Sequence, residues 1–188
     1  MTTITPSFPP LADLLRIAEA ELGVSDQPPN SGRGPRVQVY QSVCRLAASE
    51  ATGWPWCSAY VCWCLGQFIA RHPGQLAQSI ETDPPREASV YGLEAWARRK
   101  NLPFSDDRDN PILPLPGDLV FYRFSHVEIV RRVLDDHFEA IGGNTNDHGS
   151  RNGGHVAIRQ RSYQVARAFA RLIPRAQPLP TSAPIVIR

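Results

Sequence analysis

Apolar positions recur at helical spacing in the first half of the chain and in short continuous runs in the second. Leu11, Leu14, Leu15, Ala18 and Leu22 fall on one helical face, and Gly23 stops the run. A turn-rich stretch from Gln27 to Pro35 follows, then a second amphipathic helix over about 36–48 with Val39, Val43 and Leu46 on one side. Gly53-Trp54-Pro55-Trp56 breaks the chain again. The helix starting near Cys57 is apolar almost all round to Ile69, the pattern of a buried central helix. A fourth helix is predicted over 85–100 around Val90, Leu93 and Trp96, before a loop rich in Pro and Asp over 101–117. Five β-like runs come next, at 118–123, 127–133, 138–141, 156–161 and 168–173. Helices first and strands second predict an α+β domain, N-terminal helices packed on a small antiparallel sheet, rather than alternating βαβ units. Residues 1–10 read as a flexible leader, 11–173 as one domain and 174–188 as a Pro-rich, extended tail.

Composition narrows the function classes. With 188 residues, 42% hydrophobic and 20% charged, the chain has the make-up of a globular domain with a sizeable core. A net charge of +2, one lysine (Lys100) and scattered arginines give no basic stripe, so no nucleic-acid partner is expected. No run is long and apolar enough for a membrane span. The first ten residues lack a basic and an apolar segment, so synthesis in the cytoplasm without a signal peptide is expected.

Four cysteines, Cys44, Cys57, Cys62 and Cys64, make an even number, but the last three share one predicted helix. Cys62 and Cys64 point to different faces of it and cannot pair, so free thiols are expected. Paired Cys-x-x-Cys knuckles are missing, so no zinc site and no cofactor is expected. Cys57 stands at the first turn of its helix. There the helix dipole favours a thiolate, and unpaired backbone N–H groups offer an oxyanion site. The local pattern alone fits a nucleophile and a buried structural thiol equally well.

A thiolate nucleophile needs a base, and there are five histidines. His72 and His137 lie in turn-like sequence and His148 in a glycine-rich loop. His126 and His155 each open a strand. His126 follows Pro116-Gly117-Asp118-Leu119-Val120-Phe121-Tyr122 across a predicted hairpin, and the next strand ends in Gly142-Gly143-Asn144. Asn144 is therefore the expected orienting partner of the imidazole, the third role in a nucleophile triad. His155 has no polar counterpart and reads as a surface residue at a strand end. The loop Gly142–Gly149 neither opens a helix nor carries the alternating oxygen ligands of a calcium loop, so it reads as a wall of the groove.

Three strings in order, Gly53-Trp54-Pro55-Trp56-Cys57-Ser58-Ala59-Tyr60-Val61, Pro116-Gly117-Asp118-Leu119-Val120-Phe121 with Ser125-His126-Val127-Glu128-Ile129-Val130, and Ile141-Gly142-Gly143-Asn144-Thr145-Asn146, resemble the CHAP and NlpC-type superfamily over about residues 11–173. The resemblance implies a papain-like cysteine hydrolase fold and an amidase or endopeptidase acting on bacterial peptidoglycan. It implies Cys57, His126 and Asn144 as catalytic residues. The oxyanion hole would use the Cys57 backbone N–H and a side chain, Tyr40 or Gln41. Two departures stand out. Many CHAP members carry Glu where this chain has Gly142, with Glu139 in the wrong strand phase to replace it, and Ser125 stands where the family has Gly. Trp54 and Trp56 are expected to be exposed beside the nucleophile, as groove walls or as lids of the core. Without a signal peptide, action on the wall implies delivery with a holin or by a contractile secretion machine, and a possible partner is a cognate immunity protein. Two rivals remain: a non-catalytic wall-binding module on the same fold, and a cysteine protease or acyltransferase with another substrate.

Overall fold

The computed structural model describes residues 9–46, 52–109, 112–146 and 153–172. Residues 1–8 of the expected leader, the whole expected tail over 174–188 and His148 lie outside them, while Pro9 and Pro10 of the leader already belong to the first helix. Helices come first: α1 (Pro9–Glu19), α2 (Pro35–Gln41), α3 (Cys57–Arg71), a single turn α4 (Gln78–Glu81) and α5 (Val90–Arg99). Five strands follow, β1 (Leu119–Tyr122), β2 (Val127–Val133), β3 (His137–Thr145), β4 (His155–Ser162) and β5 (Ala166–Ala170). They form one antiparallel sheet in the order β4-β3-β2-β1-β5. The architecture is α+β, as the order of patterns predicts.

The α3 helix is central because it has no polar face over its first nine residues. Cys57 through Leu65 are all buried, and α3 packs on α1, α2, β2 and β3. Leu119, Phe121, Val127, Ile129, Ile141 and Ala168 supply the sheet face beneath it. The opposite face carries a second apolar cluster of Val120, Tyr122, Val130, Phe138, Ala140 and Phe169. Phe138 of β3 and Phe169 of β5 meet at 5.3 Å between ring centroids, although β2 and β1 lie between their strands. The sheet therefore curls and closes its outer face on itself. Burial on both faces is why these strands read as continuous apolar runs rather than alternations.

Several boundaries differ from expectation: the helix expected over 85–100 starts at Val90, and the strand expected over 168–173 spans Ala166–Ala170. The second helix ends at Gln41 instead of running to residue 48, because the Arg45 N–H leaves it to bond the Arg86 carbonyl at 3.0 Å. The α4 turn carries little periodic signal at four residues. The third strand runs on through Gly142-Gly143-Asn144, which the glycines had marked as a loop. Each glycine is there for space. An added Cβ at Gly143 would lie 2.4 Å from the Trp56 ring, and at Gly142 2.5 Å from Cγ of Glu128.

Candidate active site

The break Gly53-Trp54-Pro55-Trp56 starts α3 abruptly at Cys57, with Trp56 as its N-cap and no side-chain cap. The first-turn N–H groups thus have no capping acceptor. Trp56 anchors this end of the helix. Its indole N–H donates to Asp26 Oδ1 at 2.7 Å, its ring stacks on Tyr40 at 5.6 Å, and its far edge rests on Gly143. It is fully buried, which corrects the expectation of an exposed aromatic. Trp54 is half-buried and lines a cleft of about 460 Å³ with Pro55, Cys57, Ser89, Val90 and Ser125.

His126, the candidate base, comes from the tight β1–β2 hairpin. Tyr122 N–H bonds the His126 carbonyl at 2.9 Å, and Ser125 turns the chain with φ of 60°. That left-handed conformation favours glycine, and Ser125 adopts it here. His126 is completely buried, with the rings of Tyr122 and Phe124 stacked 5.9 and 6.0 Å from its own. Its Nδ1 is enclosed without a hydrogen bond of full geometry. The thiol and the imidazole still act strongly on each other. Burial pushes the Cys57 thiol up, but the charge of His126, its hydrogen bond and the Val127 and Ser58 N–H groups bring it below the usual thiol value. Burial likewise works against a charged His126, yet Cys57 and Glu128 raise it to about 9. The favoured state is a thiolate–imidazolium pair.

No family model, no curated protein and no solved structure matches this chain.

Sequence reasoning had assigned Asn144 to orient the imidazole. Instead, Nε2 of His126 lies 3.2 Å from Oε1 of Glu128. Asn144 lines a second cavity of about 320 Å³ with Asp26, Ser31, Gly53, Trp54 and Pro55, so the Trp54-Pro55 ridge separates it from the thiolate cleft. Glu128 is fully buried and accepts from Arg161 Nη2 at 2.5 Å, Arg161 Nε at 3.1 Å and the Tyr122 hydroxyl at 2.5 Å. Burial opposes its charge, but His126 and Arg161 hold it well below the carboxylate range, at about 2. The signal for Glu128 was present: residues two apart on a strand share a face, so His126 and Glu128 had to be neighbours.

Neither proposed oxyanion side chain is free for that role. The Tyr40 hydroxyl donates to Glu21, and Gln41 Nε2 donates to the carbonyls of Gly32 at 2.9 Å and Trp54 at 3.2 Å. His155 lies at the start of β4, with Arg159 Nη2 3.0 Å from its Nε2, and His72 pairs with Asp13. The four cysteines are free thiols. Among the described residues, no group of three or more His, Cys, Asp or Glu could hold a metal, and no helix is long and apolar enough to cross a membrane.

Proposed function

We propose that this chain is a papain-like cysteine hydrolase that cleaves amide bonds of bacterial peptidoglycan, with Cys57 as nucleophile and His126 as its acid and base. The observation that carries the reading is a buried thiol at a helix start, held below its usual value by an equally buried imidazole. A structural cysteine in the same burial goes the other way: Cys62 and Cys64 on the same helix are both pushed up. The chain order of the three motifs supplies the substrate class.

The Cys57 thiolate attacks the amide carbonyl carbon. The developing oxyanion lies against the Cys57 N–H at the start of α3. His126 gives its proton to the leaving nitrogen as the C–N bond breaks, releasing an amine and leaving a thioester on Cys57. The now neutral imidazole takes a proton from water, whose oxygen displaces the sulfur and frees the carboxylic acid. The thiolate and imidazolium are restored together. The cleft beside Cys57 and the polar cavity across the Trp54-Pro55 ridge offer one room on each side of a scissile bond. Delivery to the wall with a holin or by a contractile secretion machine, and neutralisation by an immunity protein, belong to the same proposal.

The test is digestion of purified peptidoglycan by wild type, Cys57→Ala, His126→Ala and His155→Ala, with fragments identified by mass spectrometry. Loss of turnover in the first two variants alone is expected, at least about 10³-fold. New N-terminal alanine marks an amidase, and new ends within the stem mark an endopeptidase. Undiminished digestion by Cys57→Ala overturns the assignment. Binding without digestion by wild type points to a wall-binding module.

A further inference from the structure

The group that holds the imidazole stands on an unexpected strand. Gly142 lies one step beyond the Ile129–Ile141 pair of β2 and β3, across from Glu128. Its missing side chain is the space that Glu128 fills: a Cβ there would lie 2.5 Å from Glu128 Cγ and 3.2 Å from Cδ. We infer that Glu128, reaching from β2 into the space left by Gly142 of β3, is the positioning residue of this site, holding the His126 ring and its positive charge for Cys57. The inference rests on the hydrolase reading for its catalytic meaning, while its geometry and its test need no substrate.

Every charged or titratable group around the imidazole fits this role. Cys57 faces it from α3, Glu128 from β2, Tyr122 from β1 and, behind the carboxylate, Arg161 from β4; Thr145 of β3 adds a neutral hydroxyl 3.4 Å from Glu128. Cys57 and Glu128 carry negative charge and His126 and Arg161 positive charge, so the buried set is neutral as a whole. A buried ion survives only when paired in this way. The two-pronged Arg161 contact and the Tyr122 hydroxyl fix the carboxylate, leaving Oε1 toward Nε2. A carboxylate that served Arg161 alone would have no reason to touch the imidazole.

The readout is the pH profile of Cys57 alkylation by iodoacetamide, followed by peptide mass spectrometry on the intact chain. Wild type is expected to show an upper inflection near 9, where His126 loses its proton. Glu128→Gln keeps the shape and removes the charge, and should move that inflection toward acid by about one unit or more. Glu128→Ala/Gly142→Glu supplies the carboxylate from β3 and should return the inflection to the wild-type position. Glu128→Ala/Gly142→Gln, without the charge, should not. Circular dichroism confirms that each variant is folded. An unmoved inflection in folded Glu128→Gln overturns the inference, and so does a doubly substituted carboxylate variant that folds but keeps the shifted profile. If Glu128→Gln does not fold, the two double variants decide alone: different inflections support the positioning role and equal ones overturn it. Loss of peptidoglycan digestion in wild type would sink the hydrolase reading and leave this profile intact.

Discussion

The cysteines of α3 share a helix and nearly complete burial, yet their surroundings push them in opposite directions. Cys57 sees the His126 charge and two backbone N–H groups. Cys62 faces Cys44, while Cys64 sits in apolar surroundings with Glu21 disfavouring its charge. Brief iodoacetamide treatment below neutral pH should therefore label Cys57 and spare Cys62 and Cys64 until the chain is unfolded, as peptide mapping will record. Cys57→Ser tests the same point, since it should lose both labelling and turnover while folding normally. How much of this was legible differs from residue to residue. Cys57 and His126 stood out because a helix start and a strand mouth are local features. Alternation puts Glu128 on the same side of the strand as His126, but the space its carboxylate fills is left by Gly142 on the neighbouring strand, which no local pattern announces. The fully buried place of Trp56 was equally hidden, since nothing nearby in sequence announces that Asp26 will receive its indole N–H.

Among the elements, the contact between the start of α3 and β3 decides whether the site exists. Trp56 and Tyr60 of the helix lie on Gly143, and a single methyl there would meet the Trp56 ring at 2.4 Å and Tyr60 Cβ at 2.7 Å. Gly143→Ala is expected to cost about 1–3 kcal/mol through overpacking. It should also lower turnover more than the stability loss explains, because the displaced element carries Cys57. Urea midpoints and single-turnover rates separate the two effects. The Pro-Gly-Asp turn does comparable work for β1: Gly117 adopts φ of 92°, its N–H bonds the Val130 carbonyl at 2.8 Å, and Asp118 takes the Leu115 N–H at 2.8 Å and the Arg171 guanidinium. That turn fixes the register of the hairpin that presents His126. The helices and strands themselves were readable from periodicity; α2 ended early where a tertiary hydrogen bond to Arg86 replaced a local one, and β3 ran on where two glycines left room for Trp56 and Glu128.

At the scale of the molecule, a buried neutral set of four charges links chemistry to stability. Glu128 is held at about 2, below the usual 4.5, so its contribution is complete above 4.5 and is lost as the pH falls from there toward 2. The difference in unfolding free energy between wild type and Glu128→Gln should shrink by about 3 kcal/mol as the pH falls from 4.5 toward 2, and should also shrink as the pH rises toward 9, where wild-type His126 loses the proton that Glu128 helps it hold. Denaturant titrations across that range check it, and a difference independent of pH would show that the carboxylate is not held as described. By itself the sequence determined the class of architecture and the central helix, and it singled out Cys57 and His126 as the proposed nucleophile and base, because periodicity, chain breaks and helix ends are local properties of the backbone. Only the tertiary structure decided which group meets the far side of the imidazole and which aromatics leave solvent. Those outcomes depend on cross-strand register and on space left by absent side chains, and two glycines look alike in sequence until the chain has folded around them.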